Sequence, residues 1–384
     1  MIAPEPFFQP RGTPISVYFR NQALTSQGHS VDLVTYPLGE DVVMPGLKIH
    51  RVPNILFLKK IKIGPSFAKI PLDALLLFKA ASALLRKKYD LIFTHEEGSF
   101  IGVLLAAFRR LPHVYDMHSS LPQQLENFAF TRSPILKGLF SYLESLVLKR
   151  AQAVIVICPD LENLVKSLGH GEKTVLIENV LDFPCEGFSA GDIENLRRDA
   201  APSGEKIVLY AGNFGPYQGI SLLLEAAARV REPAVFVLVG GSGPDRTAME
   251  KKAGELELGR RAVFYDRVPP DRVPLFVAAA DVLVSPRDSG TNTPLKIYSF
   301  LKSGKPLVAT RLWTHTQVLD DRIAVLADPT PEAFAEGLSF ALSNPEAAAR
   351  ARAALALAEK EYTFEAYKSR LERVLSLAVR PRRT

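Results

Sequence analysis

Cysteine is almost missing. Of 384 residues only Cys158 and Cys185 carry a thiol, too few for a disulfide framework and without the paired spacing of a zinc site. No cysteine zinc site is therefore expected, and a reducing compartment, the cytoplasm, fits as the location. Long apolar runs are missing too. The longest uncharged one, Ser99–Phe108, falls far short of the roughly 20 residues that span a bilayer. The opening MIAPEP has neither the basic stretch nor the apolar core of a signal peptide. Ile2 and Ala3 read as the tail of a strand, which predicts either a start further upstream or an unusually short first strand. No Gly-rich loop carries the lysine of a Walker motif, and none reads GxGxxG with a following acid, which counts against a dehydrogenase and its dinucleotide. Aromatic–basic interleaving and DNA-reading motifs are absent, so nucleic acid is not an expected partner.

What is present is a repeated alternation of short apolar runs with helical patterns. At 384 residues the chain is too long for one usual core, and two domains are the default. Val31–Tyr36, Leu91–His95, Val114–Asp116 and Val154–Cys158 read as strands, with helices at Ser16–Gln27, Leu72–Lys87, Phe100–Arg109 and Leu136–Arg150. After a Pro- and Gly-rich stretch, Asn179–Ser203, the series resumes. Its strands are Ile207–Tyr210, Val235–Val239, Val263–Tyr265, Val282–Ser285, Leu307–Ala309 and Ile323–Leu326. Its helices are Ile220–Val230, Arg246–Glu257, Val273–Ala279, Pro294–Lys302 and Pro331–Ser343. This pattern predicts an α/β fold of two Rossmann-like domains with parallel sheets: residues 1–183, residues 184–363, and a closing amphipathic helix, Phe364–Val379, within a terminal segment 364–384 that ends in a basic tail. The hinge is expected near Asp182, with a ligand cleft at the strand ends.

The formal charge is +6, and much of the excess lies between Ile55 and Lys88. There Lys59, Lys60 and Lys62 stand beside Ile61 and Ile63, which are expected to be exposed. The loop Leu58–Ser66 reads as a membrane-surface contact or as an ordinary solvated loop. The helix Leu72–Arg86 reads as amphipathic packing on a sheet, with lysines at its edges.

Loops and strand ends at the carboxyl edges of the sheets carry the candidate chemistry. In the stretch Asp288–Thr310, Asp288, Gly290, Thr291, Asn292 and Thr293 form a polar loop. Thr293 is a plausible N-cap and Pro294 the first helical residue. Lys296 and Ser299, three apart, share a helix face. Gly212, Asn213 and Gln218 belong to a Gly-rich loop, and Gly240 and Gly241 to a second. Three such loops in one half-chain suit a phosphorylated or nucleotide ligand. In the first half, Gly12 and Thr13 follow the first strand. His118 and His95 sit at neighbouring strand ends, with Glu96 and Glu97 beside the latter. Asp116 is not expected to partner His118.

The segments YAGNFGPYQGISLLLEA, FVLVGGSGPDR and DVLVSPRDSGTNTPLKIYSFLKSGKPLVAT, with PRGTP, YDMHSS and IENVLD in the first half, resemble the retaining family 4 glycosyltransferases (GT-B fold). The resemblance implies transfer of a sugar from a nucleotide sugar to an acceptor hydroxyl, with retention and without a bound metal. It places Gly12 near the donor diphosphate, His118 near the transferred sugar, and the backbone of Gly290–Pro294 against the sugar and phosphates. The last helix is implied to cross back to the first domain. The family's usual loop arginine and lysine are replaced by Asn213 and Gln218, and its two glutamates by Thr291 and Ser299. Lys296 is then expected to supply the charge for the leaving group, helped by Arg287 or Arg267, with Asp288 in place of the first glutamate. The basic segment 55–88 favours a lipid-linked or cell-envelope acceptor at the inner face of the membrane. Two other readings stand: a nucleotide-sugar epimerase of the same architecture, and a non-catalytic nucleotide-sugar-binding protein.

Overall fold

The computed structural model describes residues 1–9, 12–55, 57–61, 66, 69–122, 133–179 and 187–379. Pro10, Arg11, Lys62, Ile63, Asp182, Cys185 and the basic tail lie outside the described residues. The chain divides into two compact units, Met1–Asn179 with Phe364–Thr384, and Val180–Thr363.

The first unit is built on a seven-stranded sheet of β1 (Ile2–Ala3), β2 (Val31–Thr35), β3 (Leu47–Arg51), β4 (Ile92–His95), β5 (His113–Met117), β6 (Ala153–Val156) and β7 (Thr174–Leu176). Its order is β3-β2-β1-β4-β5-β6-β7, and every pairing is parallel. The second holds six strands, β8 (Lys206–Ala211), β9 (Ala234–Val239), β10 (Ala262–Tyr265), β11 (Val282–Ser285), β12 (Leu307–Thr310) and β13 (Val325–Ala327), in the order β10-β9-β8-β11-β12-β13. Central strands of this kind are buried on both faces, so they read as continuous apolar runs rather than as alternations; β5, β6 and β9 are buried at every residue. In each sheet the order reverses once, beside β1/β4 and beside β8/β11. Helices leave the sheet on opposite faces at such a point, and a crevice opens outside the carboxyl ends of the strands.

Several expectations are corrected. β3 and β7 were not expected. β3 (LKIHR) has no fully buried residue, and β7 has only three residues, so neither offers an apolar run. The helix Pro345–Glu361, capped by the Asn344 side chain, also has no counterpart in the pattern: its buried side is Ala347, Ala351, Ala354 and Ala358, which gives little hydrophobic contrast. The helix predicted from Pro294 starts at Lys296 and has seven residues. Thr293 does not cap it; the N-cap position falls on Leu295, with no side-chain bond, because the backbone first closes a turn from Ile297 N to Pro294 O at 3.0 Å. Ile61 is buried rather than exposed, while Lys59 and Lys60 do face solvent.

The closing helix, Phe364–Val379, buries Tyr367, Leu371, Val374 and Ala378 at spacings of one helical face. It packs on β5, β6, β7 and the first helix, Gly12–Ser26. Replacing Leu371, fully buried, by Ala should cost about 2–5 kcal/mol of unfolding free energy. The exposed Arg373→Ala should stay within about 0.5 kcal/mol of wild type. Urea unfolding followed by circular dichroism measures both, and equal midpoints would show that this face of the helix carries no core packing.

Candidate active site

In the second unit the loops at the strand-order reversal pack on one another. A side chain on Gly219, whose φ is 68°, would collide with the carbonyl of Pro286, and one on Gly241 would collide with the Phe214 ring. Gly240 sits against the backbone of Gly212 in the same way. These glycines let three loops close into one surface. Asn213 and Gln218, the positions where the resemblance implies cations, are used locally. Asn213 Oδ1 accepts from Gly215 N at 3.0 Å. Gln218 is buried, and its Oε1 accepts from the Tyr210 hydroxyl at 3.2 Å.

Lys296 reaches the same place from the other side. Its ammonium lies 3.8 Å from the centroid of the Tyr210 ring, within the range of a cation–π contact. A Cβ on Gly212 would stand 3.2 Å from its Nζ. That Nζ is buried with no hydrogen-bond partner in the protein, and so are Arg287 Nε and Thr293 Oγ1. Burial first, and then the neighbouring Arg287, push the Lys296 ammonium well below its usual range. Buried donors without acceptors are uncommon in folded proteins. Here three lie on one loop and the helix that follows it.

Arg287 is held in place: Nη1 donates to Asn292 O at 2.7 Å and Thr314 Oγ1 at 3.0 Å, and the guanidinium lies over the Tyr217 ring. Gln317 Nε2 donates to Thr291 O at 2.6 Å. The 291–292 backbone is thus clamped by side chains from beyond β12. Behind it His315 is fully buried between Ser285 Oγ at 2.8 Å and Thr310 O at 2.9 Å, and burial lowers it to about 4. Gly290 has φ 113°, and Asp288 is exposed and accepts from Ser289 Oγ at 2.8 Å. Ser299 turns back on its own helix, its hydroxyl donating to Lys296 O at 2.9 Å. Arg267 is exposed. Tyr210, Thr314, Gln317 and His315 were not singled out in the sequence, because nothing local distinguishes them from other residues near strand ends.

In the first unit Gly12, φ 40°, opens the helix Gly12–Ser26, and the half-buried Thr13 follows it. His118 and Asp116 are partners after all: Nε2 lies 3.3 Å from Asp116 Oδ1. The strand ends at Met117, so the alternation that would keep them on one face no longer decides where His118 points, and the ring folds back. His95 Nδ1 lies 3.3 Å from Asp116 Oδ2. Arg20, from the first helix, donates to both carboxylate oxygens at 2.8 and 3.2 Å and lies 5.0 Å from the Tyr367 ring centroid. Burial alone would raise Asp116; Arg20 and the imidazoles outweigh it and hold the carboxyl well below its usual range. Burial takes His95 down to about 3 against the pull of Asp116. The ligand atoms of His95, Asp116 and His118 lie within 4.8 Å of one another, which is close enough for a metal. The guanidinium already engaging both Asp116 oxygens fits a divalent cation poorly. Nearby, Glu97 is paired with Lys69 at 2.7 Å, and Glu96 accepts from Ser119 Oγ at 2.9 Å.

The profile named Glycosyltransferase Family 4 matches residues 11–183, and that of Glycosyl transferases group 1 matches residues 192–356. The chain belongs to the family 4 glycosyltransferases. This glycosyltransferase is 31% identical over 192 residues, 46% of its length and 47% of the relative's, to the putative colanic acid biosynthesis glycosyl transferase WcaI of Escherichia coli K12. The match thus spans about half of that relative. It is 25% identical over 79% of its length and 68% of the relative's to the alpha-monoglucosyldiacylglycerol synthase of Streptococcus pneumoniae. Among solved structures, the fold is shared with a sucrose-phosphate synthase from Thermosynechococcus elongatus (TM-score 0.78, 22% identity, 97% and 98% of the two chains). It is also shared with HepE of Anabaena in complex with UDP (TM-score 0.76, 18% identity, 98% and 99%).

Glu96 gives the first unit a pH signature. Burial raises its carboxyl from 4.5 to about 7, partly opposed by His118 and Ser119. A folded-state value above the unfolded one means that the folded state binds the extra proton, so the stability contributed by Glu96 is complete below about 4.5 and is lost as pH rises to about 7. Across that window wild type should lose stability relative to Glu96→Gln as pH rises, read by urea unfolding of both, because the buried His95 and His315 shift both curves alike. Parallel curves would contradict the assignment.

Proposed function

We propose that this glycosyltransferase moves a hexose from a nucleotide-diphosphate sugar to an acceptor hydroxyl with retention, using neither a metal nor an organic cofactor. The observation that carries the reading is the buried, partnerless ammonium of Lys296 beside Arg287 and Thr293. A diphosphate is the ligand that this group suits: two cationic donors and a hydroxyl meet negative oxygens in a site with little water, where charge stabilisation of a leaving group is strongest. Lys296 replaces, from the following helix, the cation that Gln218 does not supply. With only seven residues in that helix, side chains rather than a helix dipole provide the charge. The presence of UDP in HepE supports the donor class.

In the reaction the bond from sugar C1 to the diphosphate oxygen breaks. The acceptor oxygen bonds C1 on the same face, and its proton passes to a departing phosphate oxygen. Lys296 and Arg287 stabilise the charge that develops on the diphosphate. His118, held by Asp116, positions a hydroxyl of the transferred sugar and is not required as a base. A lipid-linked or cell-envelope acceptor is supported by relatives whose names specify colanic acid, a diacylglycerol and phosphatidylinositol.

Two measurements test the reading. Lys296→Met should lower turnover by about a hundredfold or more while leaving the melting temperature unchanged or higher, because a buried polar group without a partner is a liability to folding. Unchanged turnover with a nucleotide-sugar panel would sink the proposal. Second, diphosphate arrival should reverse the depression of the Lys296 ammonium. Calorimetric titration with nucleoside diphosphates, repeated in buffers of different ionisation enthalpy from neutral to alkaline pH, should then show proton uptake in wild type and not in Lys296→Met. Equal uptake in both would remove Lys296 from the diphosphate.

A further inference from the structure

Three helices of the first unit lie side by side. Lys69–Arg86 precedes β4, Gly98–Arg109 joins β4 to β5, and Pro134–Arg150 precedes β6. The first packs on the second and the second on the third. Right-handed crossovers advancing in one direction along a parallel sheet place their helices on the same face, so these form one layer. Their inward sides are ordinary core, such as Leu72, Leu76, Ala80 and Leu84 of the first.

Their outward sides are apolar as well. Ile70, Phe78 (71% exposed) and Leu85 stand eight and seven residues apart on the first helix. On the second, Leu104 and Phe108 (71%) are four apart. On the third, Ile135 (81%), Leu139 and Tyr142 are four and three apart. These are helical-face spacings, so each helix shows solvent a stripe rather than scattered residues. Single exposed apolar side chains need no explanation, but contiguous stripes on adjacent helices mark a contact surface.

The charge says what covers it. Lys79 and Arg86, Arg109 and Arg110, and Lys149 and Arg150 belong to this layer or end it. The three helices contain only two acids, Asp73 and Glu144, and both turn inward. Asp73 accepts from the Tyr36 hydroxyl, and Glu144 accepts from Leu121 N and Ser120 Oγ. A second copy of the same face would set like charges against each other. Aliphatic and aromatic residues flanked by long cationic side chains suit instead the boundary between anionic headgroups and acyl chains. Among the described residues no helix is long and apolar enough to cross a membrane, so contact is with the surface.

We propose that the outer face of this three-helix layer docks on an anionic lipid bilayer. The docking surface is thereby centred on helices whose sequence reads as ordinary sheet packing, and not on the loop Leu58–Ser66. Exposed Phe57 with Lys59 and Lys60 leads into the first of these helices.

Co-sedimentation of the full chain with vesicles tests this, using phosphatidylcholine alone and phosphatidylcholine with phosphatidylglycerol. Wild type should bind only the anionic vesicles and be released by salt. Phe78→Ser with Phe108→Ser should weaken binding by about tenfold or more. Arg109→Ser with Arg110→Ser should weaken it by about twenty-five-fold, near fivefold for each cation. Val43→Ser, at a fully exposed position outside the layer, should bind as wild type, and all variants should melt with it. Failure of wild type to bind anionic vesicles overturns the proposal, as does undiminished binding by both double variants. A wild-type dimer in sedimentation velocity that Phe78→Ser with Phe108→Ser dissociates also overturns it, because the face would then be covered by a second copy.

Discussion

Because every strand in both sheets is parallel, all strands of a sheet end at one edge, and polar loops must collect there. Burial on both faces of the sheets leaves the chain no other place for hydrogen-bonding side chains in numbers. The single reversal of strand order in each sheet then selects which of those loops have a crevice beside them: after β1 and β4 in the first unit, after β8 and β11 in the second. Asp116, His118 and Arg287 sit at strand ends on these edges, and helices bring Arg20 and Lys296 to them.

The two edges solve the problem of buried charge in opposite ways. In the first unit Asp116 is surrounded: Arg20 on both oxygens, His95 and His118 at 3.3 Å. Such a network is closed, and the removal of Arg20 or of Asp116 leaves the other charge without its main compensation. It suits a group that must hold its direction, such as the His118 ring. In the second unit Lys296 has only the face of Tyr210 and the repulsion of Arg287. That arrangement leaves a buried donor unmatched, a demand that the proposed diphosphate would meet.

Much of the architecture could be read directly. Buried β-strands such as VFVLV and AVIV show continuous apolar residues, and capped helices such as that from Pro331, where Thr330 accepts from Ala333 N, carry their start in the sequence. The failures have separate physical causes. β3 is half-exposed and lacks an apolar signal. The Pro345–Glu361 helix buries alanines. Thr293 has the right residue type for a cap, but capping also demands a backbone turn into helix at that residue, and the chain delays it. The candidate site was legible as loops and not as contacts. Arg20 and Asp116 are 96 residues apart, and no local pattern pairs them. Lys296 could be placed on a helix face, but its position on Tyr210 depends on two loops packing through Gly212.

Trp313 gives one of these features a practical meaning. It is the single tryptophan of the chain and is half-exposed, at the start of the short helix Trp313–Thr316. Its neighbour Thr314 holds both Arg287 and the carbonyl of Asn292. The loop that carries the unpaired donors is therefore coupled within one residue to the molecule's only indole. Intrinsic emission from an unlabelled protein becomes an optical readout next to that loop, free of background from any other tryptophan.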